Sequence, residues 1–261
     1  MAHPNFILNS RILVIGGSSG LGFAVASGAL ANGSKVHITS ATAEKLSAKI
    51  TQLRSLYPSA HVSGSAADLS STETLETNLQ SVLDNAVKET GGPLDHIVYT
   101  AGDSLNMTPL AEMTATAALS TFTVRYLGPL LVGKLVAANP GKYLNPAASS
   151  SITLTSGIMA HRPRRGIVSL GAAGAVEVLT RTLAVELAPI RVNVIIPGAV
   201  HTELVDKMLG GMPDRLTMFK AASLTKEMGT PEGAAEAYLF CMRSALATGQ
   251  GFTIDNGTLM V

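Results

Sequence analysis

The sequence predicts a three-layer α/β fold, in which a parallel seven-stranded sheet carries helices on both faces. Short β-rich runs alternate with longer helical runs along the 261 residues, a pattern typical of parallel βαβ units. Successive positions within each strand run are mostly apolar, as expected where helices cover both sides of a sheet. Turn sequences such as Asn32-Gly33 and Asn139-Pro140-Gly141 follow the helical runs.

Each run predicts one element of this fold. The predicted strands are 12–15, 35–39, 61–65, 96–99, 151–155, 191–196 and 251–254. The predicted helices are 21–31, 43–56, 73–90, 114–138, 170–187 and 231–245. With no repeat and no linker between them, we expect a single domain over 1–261. The segment 198–231 contains four methionines, which suit either a lid over an apolar substrate or ordinary surface helices.

Composition excludes several classes of protein. The net charge is +1 and 14% of the residues are charged, so we expect no nucleic-acid partner. No signal peptide is visible and no apolar run reaches the roughly 20 residues that span a bilayer, which predicts a cytoplasmic protein without membrane contact. Cys241 is the only cysteine and is expected to be a buried helical thiol. Neither metal-ligand spacing nor a Gly-x-Ser-x-Gly elbow appears.

The first strand leads directly into a glycine-rich loop and then a helix. Such glycines allow a tight turn, a close approach of the backbone to a pyrophosphate and close packing of the helix on the strand. The N–H groups at the start of the helix can bind phosphate oxygens. The loop therefore predicts a dinucleotide site formed by Gly16, Ser18, Ser19, Gly20, Leu21 and Gly22.

The end of the second strand indicates which dinucleotide is bound. NAD-binding proteins usually place an acid there to bond the ribose hydroxyls. In this chain the stretch reads His37-Ile-Thr-Ser40-Ala-Thr42, without an acid, so nothing repels a 2′-phosphate and Ser40 and Thr42 can donate to one. We therefore expect NADP(H) in preference to NAD(H).

Four further stretches extend this pattern: Ser151-Ile-Thr-Leu-Thr-Ser156-Gly157, then 166–175, 183–193 and Pro197-Gly198. With the glycine loop, their order and spacing resemble the short-chain dehydrogenase/reductase family over essentially the whole chain. The resemblance implies a Rossmann fold, a small-molecule substrate and a homodimer or homotetramer. It also implies further cofactor contacts from Asp68, Leu69, Ala101, Gly102, Pro197, Gly198, Val200 and Thr202.

The catalytic positions of that family are altered in this chain. The family places a catalytic Tyr thirteen residues after its Ser and a Lys four residues further on, and these positions are Ser169 and Ala173. A phenol has a pKa of about 10 and can be tuned toward neutrality, whereas a serine hydroxyl is a poor general acid. No tyrosine in the chain has a Lys four residues downstream, so no shift of the alignment restores the pair.

Four other residues are candidates for the catalytic site. Arg125 stands where the family has Asn, and could stabilise an oxyanion, or lie on the surface or pair with an acid. Ser156 keeps the family's Ser position and can donate to substrate. His161 could be a replacement acid or a solvated loop residue. Asp103 could face the same pocket or cap a turn.

Three functions remain open. The first is an NADP(H)-dependent reductase of an activated C=C, C=N or carbonyl group in a small apolar natural-product intermediate, for which hydride transfer needs little protonation. The second is a non-redox cyclase or pericyclase on the same fold, similar to a few atypical family members that lack the Tyr. The third is a pseudoenzyme that binds cofactor without turnover.

Overall fold

The fold was taken from a computed structural model, which describes residues 3–103, 108–163, 171–209 and 213–261. Its centre is a seven-stranded sheet in the order β3-β2-β1-β4-β5-β6-β7, and all neighbouring strands are parallel. The strands are β1 Arg11–Ile15, β2 Lys35–Ser40, β3 Val62–Ala66, β4 His96–Tyr99, β5 Ser151–Thr155, β6 Arg191–Pro197 and β7 Gly251–Ile254. The predicted sheet is confirmed.

Helices cover both faces of this sheet. They are α1 Gly20–Ala31, α2 Ala43–Leu56, α3 Leu75–Thr90, α4 Ala115–Phe122, α5 Gly128–Ala138, α6 Gly171–Glu186, α7 Glu203–Leu209, α8 Pro213–Ala221 and α9 Pro231–Arg243. Because side chains alternate along a strand, Leu13 and Ile15 of β1 enter the core shared with α3, α5 and α6. Ile12 and Val14 enter the opposite core with α1, α2 and α9.

The strand order creates a crevice beside β1. After β3 the chain returns to the other side of β1, so β2 and β4 both pair with that strand. Loops that leave the carboxyl ends of β1 and β4 therefore diverge. In sheets of this kind, ligands bind at this reversal.

One expectation about the helices needs correction. The predicted helix 114–138 is interrupted, because residues Thr123–Leu127 form a π-helical turn between α4 and α5. The segment 198–231 contains the helices α7 and α8, which agrees with the helical alternative, while a role as a lid stays a prediction.

The fold tests two expectations from composition, one on the burial of Cys241 and one on membrane-spanning helices. Cys241 lies in α9 and is fully buried. Burial raises the pKa of its thiol to about 12, so the group stays protonated and unreactive at neutral pH. Within the described residues, no helix combines the length and apolarity needed to cross a membrane.

Candidate active site

The loop between β1 and α1 is packed so closely that its glycines have no room for side chains. Gly16 and Gly20 have φ angles of 89° and 48°, which favour glycine. A Cβ on Gly22 would lie 2.3 Å from the Gly16 oxygen, and one on Gly16 would lie 2.5 Å from the Ala101 nitrogen. The loop is thus pressed against the residues after β4, at the reversal of strand order.

The N-terminus of α1 already holds an anionic group from this chain. The Gly20 N–H donates to Glu203 Oε2 at 3.0 Å. The Thr202 Cγ2 atom lies 3.2 Å from where a Gly20 Cβ would be, so two predicted cofactor residues meet at this point. Ser18 is buried, while Ser19 and Leu21 are half-buried. Since a helix N-terminus attracts negative charge, the Glu203 carboxylate indicates an anion-accepting position.

The end of β2 carries a hydroxyl without a partner. Ser40 is 5% exposed, and its Oγ atom has no hydrogen-bond partner in the described residues. Two residues later, Thr42 Oγ1 accepts from the Lys45 N–H at 3.4 Å and caps α2. Buried polar atoms are nearly always bonded, so an unbonded one at a crevice suggests a missing ligand group.

Asp68 and Leu69 form the turn after β3. Asp68 is exposed, and its Oδ1 accepts from the Ser70 N–H at 2.9 Å. A hydrogen bond from the Ser70 side chain, together with this backbone one, lowers the pKa of the carboxyl group. Leu69 is 7% exposed and belongs to the core. Asp68 therefore has a turn-forming role, and its contact with adenine stays a prediction.

Arg125 lies against the turn that follows β4. Its Nε donates to Asp103 Oδ1 at 2.9 Å, and Nη2 donates to the Asp103 backbone oxygen. A Cβ on Gly102 would lie 2.7 Å from Arg125 Nη1, so the guanidinium packs directly against Gly102. The Arg125 and Asp103 side chains are 25% and 36% exposed. Arg125 therefore reaches the crevice as an ion pair, not as an isolated cation.

The π-helical turn that carries Arg125 leaves one backbone carbonyl without a partner in the helix, and a side chain from β4 bonds it. In its i→i+5 pattern, the Val124 carbonyl would accept from residue 129, which is Pro129 and has no N–H. The Tyr99 hydroxyl donates to this carbonyl at 2.7 Å. Burial raises the Tyr99 pKa, so the phenol remains a donor. It fits because Gly128 has no Cβ, which would lie 1.9 Å from the Tyr99 oxygen.

A hydroxyl, a carboxylate and an imidazole meet at the end of β5. Ser156 Oγ is 2.8 Å from Glu177 Oε1 and 3.0 Å from the Ala173 oxygen, and it donates to these acceptors. His161 Nε2 lies 3.0 Å from the same carboxylate. We name this group the β5-end cluster: Ser156, His161 and Glu177. The Ser156 proton is thus engaged within the protein.

Four predicted cofactor residues lie at the end of β6 and directly after it: Pro197, Gly198, Val200 and Thr202. The Gly198 N–H donates to the Ile254 oxygen at 3.0 Å, and a Cβ on Gly198 would lie 2.7 Å from Asp255 Cα. Pro197 ends the strand, and Val200 pairs with Gly229. This segment turns back toward α1, because the next predicted residue, Thr202, contacts Gly20.

Two clefts on the described surface lie away from the candidate catalytic residues. One, of about 320 Å³, is lined partly by Val200, Met228 and Ile254. The other, of about 290 Å³, lies between Phe23, Lys49 and His201. Neither lining contains Arg125, Ser156 or His161. The lining of the second cleft includes Gly20 and Thr202, so this cleft adjoins predicted cofactor residues.

The structure brings most predicted residues to one edge of the sheet. Ser169, however, lies outside the described residues, so its position in the site stays a prediction. Sequence reasoning missed Glu177 and Glu203. Glu177 stands four residues after Ala173, a spacing that places both on one helix face and could have identified it. No group of three or more His, Cys, Asp or Glu side chains in the described ranges could hold a metal ion.

Relatives of the chain share its full length. The SDR-like Rossmann domain family matches residues 3–261. The short-chain dehydrogenase/reductase ATR9 of Stachybotrys chlorohalonatus (strain IBT 40285) is 39% identical over 97% of this chain and 98% of its own. The short-chain dehydrogenase/reductase ucsE of an Acremonium species is 38% identical over 95% of each chain.

Solved structures agree with this relationship. The MalC Reductase/Diels-Alderase from Malbranchea aurantiaca superposes with a TM-score of 0.92 at 34% identity, covering 98% of this chain and 99% of that one. A short-chain dehydrogenase from Burkholderia cenocepacia J2315 in complex with NADP has a TM-score of 0.82 at 24% identity, covering 97% and 99%, which shows the shared fold alone. The chain belongs to the short-chain dehydrogenase/reductase family of oxidoreductases.

Proposed function

We propose that this protein is an NADP(H)-dependent reductase with an altered proton-donating site. Its substrate would be a small apolar natural-product intermediate with an activated C=C, C=N or carbonyl group. The observation that carries the proposal is the buried, unpartnered Ser40 hydroxyl, which lies on the same edge of the sheet as a complete glycine loop.

The described residues fit an NADP nucleotide. The α1 N-terminus, where Glu203 now accepts from Gly20, suits a pyrophosphate. Ser40 and the N-terminal turn of α2, including Lys45, suit a 2′-phosphate at the end of β2. Ala101, Gly102 and the residues after β6 would border the other half of the nucleotide. A bound reduced nucleotide would supply the hydride.

The residues at the ends of β4 and β5 would determine how charge that develops on the substrate is stabilised. Arg125 has a donor-rich planar group that could stabilise negative charge developing on a substrate oxygen, and Asp103 fixes its orientation. The Ser156 proton is engaged with Glu177 and Ala173. With Ser at 169 and Ala at 173, a strong general acid is missing from the family's positions. This arrangement favours substrates that need little protonation during hydride transfer.

Fluorescence titration tests the proposal. Purified protein should quench and blue-shift NADPH fluorescence more strongly than NADH fluorescence, because Ser40 and the α2 N-terminus would contact only the 2′-phosphate. Equal effects of both nucleotides would contradict the proposed preference for NADP(H). If neither nucleotide has an effect, the proposal of a reductase is wrong.

A cyclase is the second candidate, favoured by the similarity to the MalC Reductase/Diels-Alderase. A Diels–Alder reaction needs a folded substrate and a polarising group such as Arg125, and no proton donor. Turnover with NADPH that carries deuterium at both C4 positions separates the candidates: a reductase places deuterium in its product, whereas a cyclase does not.

We also propose that the protein forms a homodimer or homotetramer. Helix α6 exposes two apolar side chains, Val178 at 57% and Val185 at 77%. Light scattering coupled to size-exclusion chromatography should show the oligomer in wild type and a smaller species in a Val178→Asp, Val185→Asp double variant.

A further inference from the structure

The β5-end cluster places a carboxylate where the helix leaves room for it. Side chains in a helix lean toward its N-terminus, so Glu177 extends over the turn that begins at Ala173. The short Ala173 side chain leaves space there, and the carboxylate comes within 2.8 Å of Ser156 Oγ. The Glu177 side chain is 14% exposed, so solvent screens its charge only partly.

Cations on adjoining segments have other partners. Arg125, on the π-helical turn, is paired with Asp103. Arg162, next to His161, donates to the Thr258 oxygen at 2.6 Å. Among the described basic side chains, His161 is the one that contacts the Glu177 carboxylate. The carboxylate therefore brings negative charge to the β5-end cluster.

Strand order places this charge in the second half of the crevice. The pyrophosphate-binding loop follows β1, and the 2′-phosphate position at β2 belongs to the adenosine half. A dinucleotide that crosses the reversal puts its other half over β4 and β5. Ser156 directly follows β5, so the cluster belongs to the half that would hold the nicotinamide.

We propose that Glu177 makes this site favour the oxidised nucleotide, whose nicotinamide ring is positively charged, over the neutral reduced form. This inference rests on the proposed function. Attraction between the carboxylate and the ring acts on one redox state only. A tenfold preference corresponds to a potential about 30 mV more negative for the bound two-electron couple. Bound NADPH would thus be a stronger hydride donor, which compensates in part for a missing general acid.

The test compares dissociation constants of NADP⁺ and NADPH at pH 8.5, measured by calorimetry. In Glu177→Gln, NADP⁺ should bind about tenfold more weakly while NADPH binding changes little. Glu177→Asp, which keeps the charge, should retain most of the wild-type ratio. Glu186→Gln removes an exposed carboxylate from the end of the same helix and should leave the ratio unchanged.

The outcomes are distinct. Equal weakening of both nucleotides in Glu177→Gln would make Glu177 a structural residue and overturn the inference, as would an unchanged ratio. Both results would leave the NADP-binding proposal standing. If wild type binds neither nucleotide, the proposed function itself fails.

Discussion

The two ends of the sheet differ in how completely their polar groups are hydrogen-bonded within the chain. At the amino end, Arg191 is 2% exposed and donates to five backbone oxygens, those of Ala148, Ser149, Cys241, Met242 and Ala247. Asp95 accepts from the Arg11 N–H and from Asn145. His96 bonds Ser151. Ser150 Oγ is the exception at this end, because it has no partner in the described residues.

At the carboxyl end, several polar groups are unbonded or are bonded by a single side chain. Ser40 is unbonded, Glu203 accepts from the N-terminus of α1, and Arg125 is paired with Asp103. A polar group that is fully bonded within the chain stabilises the fold. One whose bonds remain open, or are made by a displaceable side chain, can bind a ligand. This difference in hydrogen bonding distinguishes polar groups that stabilise the fold from polar groups that are free to bind a ligand.

The largest effect should come from Arg191. Arg191→Met leaves its carbonyl partners buried without a donor, so we expect a loss of about 3–5 kcal/mol in the free energy of unfolding, measured in urea. Arg54→Met, which removes a bond to the Val62 oxygen from an exposed side chain, should cost less than about 1 kcal/mol. Equal losses would contradict the structural assignment of the amino end.

Lowering the pH should destabilise the fold through His96. Burial lowers its pKa to about 4, whereas an unfolded imidazole has a pKa of about 6.5. Between these values the unfolded chain binds a proton that the folded chain does not. Stability should therefore fall as the pH falls from 6.5 to 4, by up to about 3 kcal/mol from this residue.

The variant His96→Gln isolates that contribution. The wild-type decrease in unfolding free energy between pH 7 and pH 4 should exceed that of the variant. His37, whose pKa burial also lowers to about 4, remains in both proteins and cancels. The exposed His3 serves as a control, since His3→Gln should keep the wild-type pH dependence.

At the carboxyl end, Gly22→Ala should weaken NADPH binding. The new methyl group would meet the Gly16 oxygen at 2.3 Å and Thr100 Oγ1 at 2.4 Å, so the loop must open. We expect roughly 30-fold weaker NADPH binding by fluorescence titration, about 2 kcal/mol. Gly174→Ala, where nothing lies within 4 Å of the new atom, is the matched control and should bind NADPH normally.

The smallest effect should come from Ser40. Removing its hydroxyl in Ser40→Ala should weaken NADPH binding about five- to tenfold, which corresponds to about 1 kcal/mol, the typical net value of one hydrogen bond. NADH binding should not change. Because Ser40 Oγ has no internal partner in the described residues, the melting temperature should stay the same or rise. A clear fall in melting temperature would place Ser40 with the structural polar groups.

Much of the fold could be predicted because it depends on local pattern. Each predicted strand boundary lies within one residue of the observed one, since apolar runs and turn residues define buried parallel strands. The break in the helix 114–138 could not be predicted in this way. The carbonyl freed at the break is bonded by Tyr99, which is distant in sequence from Val124 and Pro129. The periodicity of apolar residues along a helix contains no information about such a contact.

The candidate site also contains residues that could be predicted from the sequence and residues that could not. The glycine loop and Ser40 follow directly from sequence motifs at strand ends. Glu177 was missed because an acidic residue on a helix is usually solvated, and only the fold shows that it bonds Ser156. Arg125 was found, but its pairing with Asp103 emerged from the turn after β4.

The phenol of Tyr99 bonds the backbone where a helix changes its register. A π-helical turn adds one residue to a helix, and one residue corresponds to about 100° of rotation. Everything from Gly128 onward in α5 is therefore rotated by that angle relative to α4. A single hydroxyl at the end of β4 thus couples the sheet edge to the outward-facing surface of α5, so substitutions at residue 99 should alter positions far from the crevice.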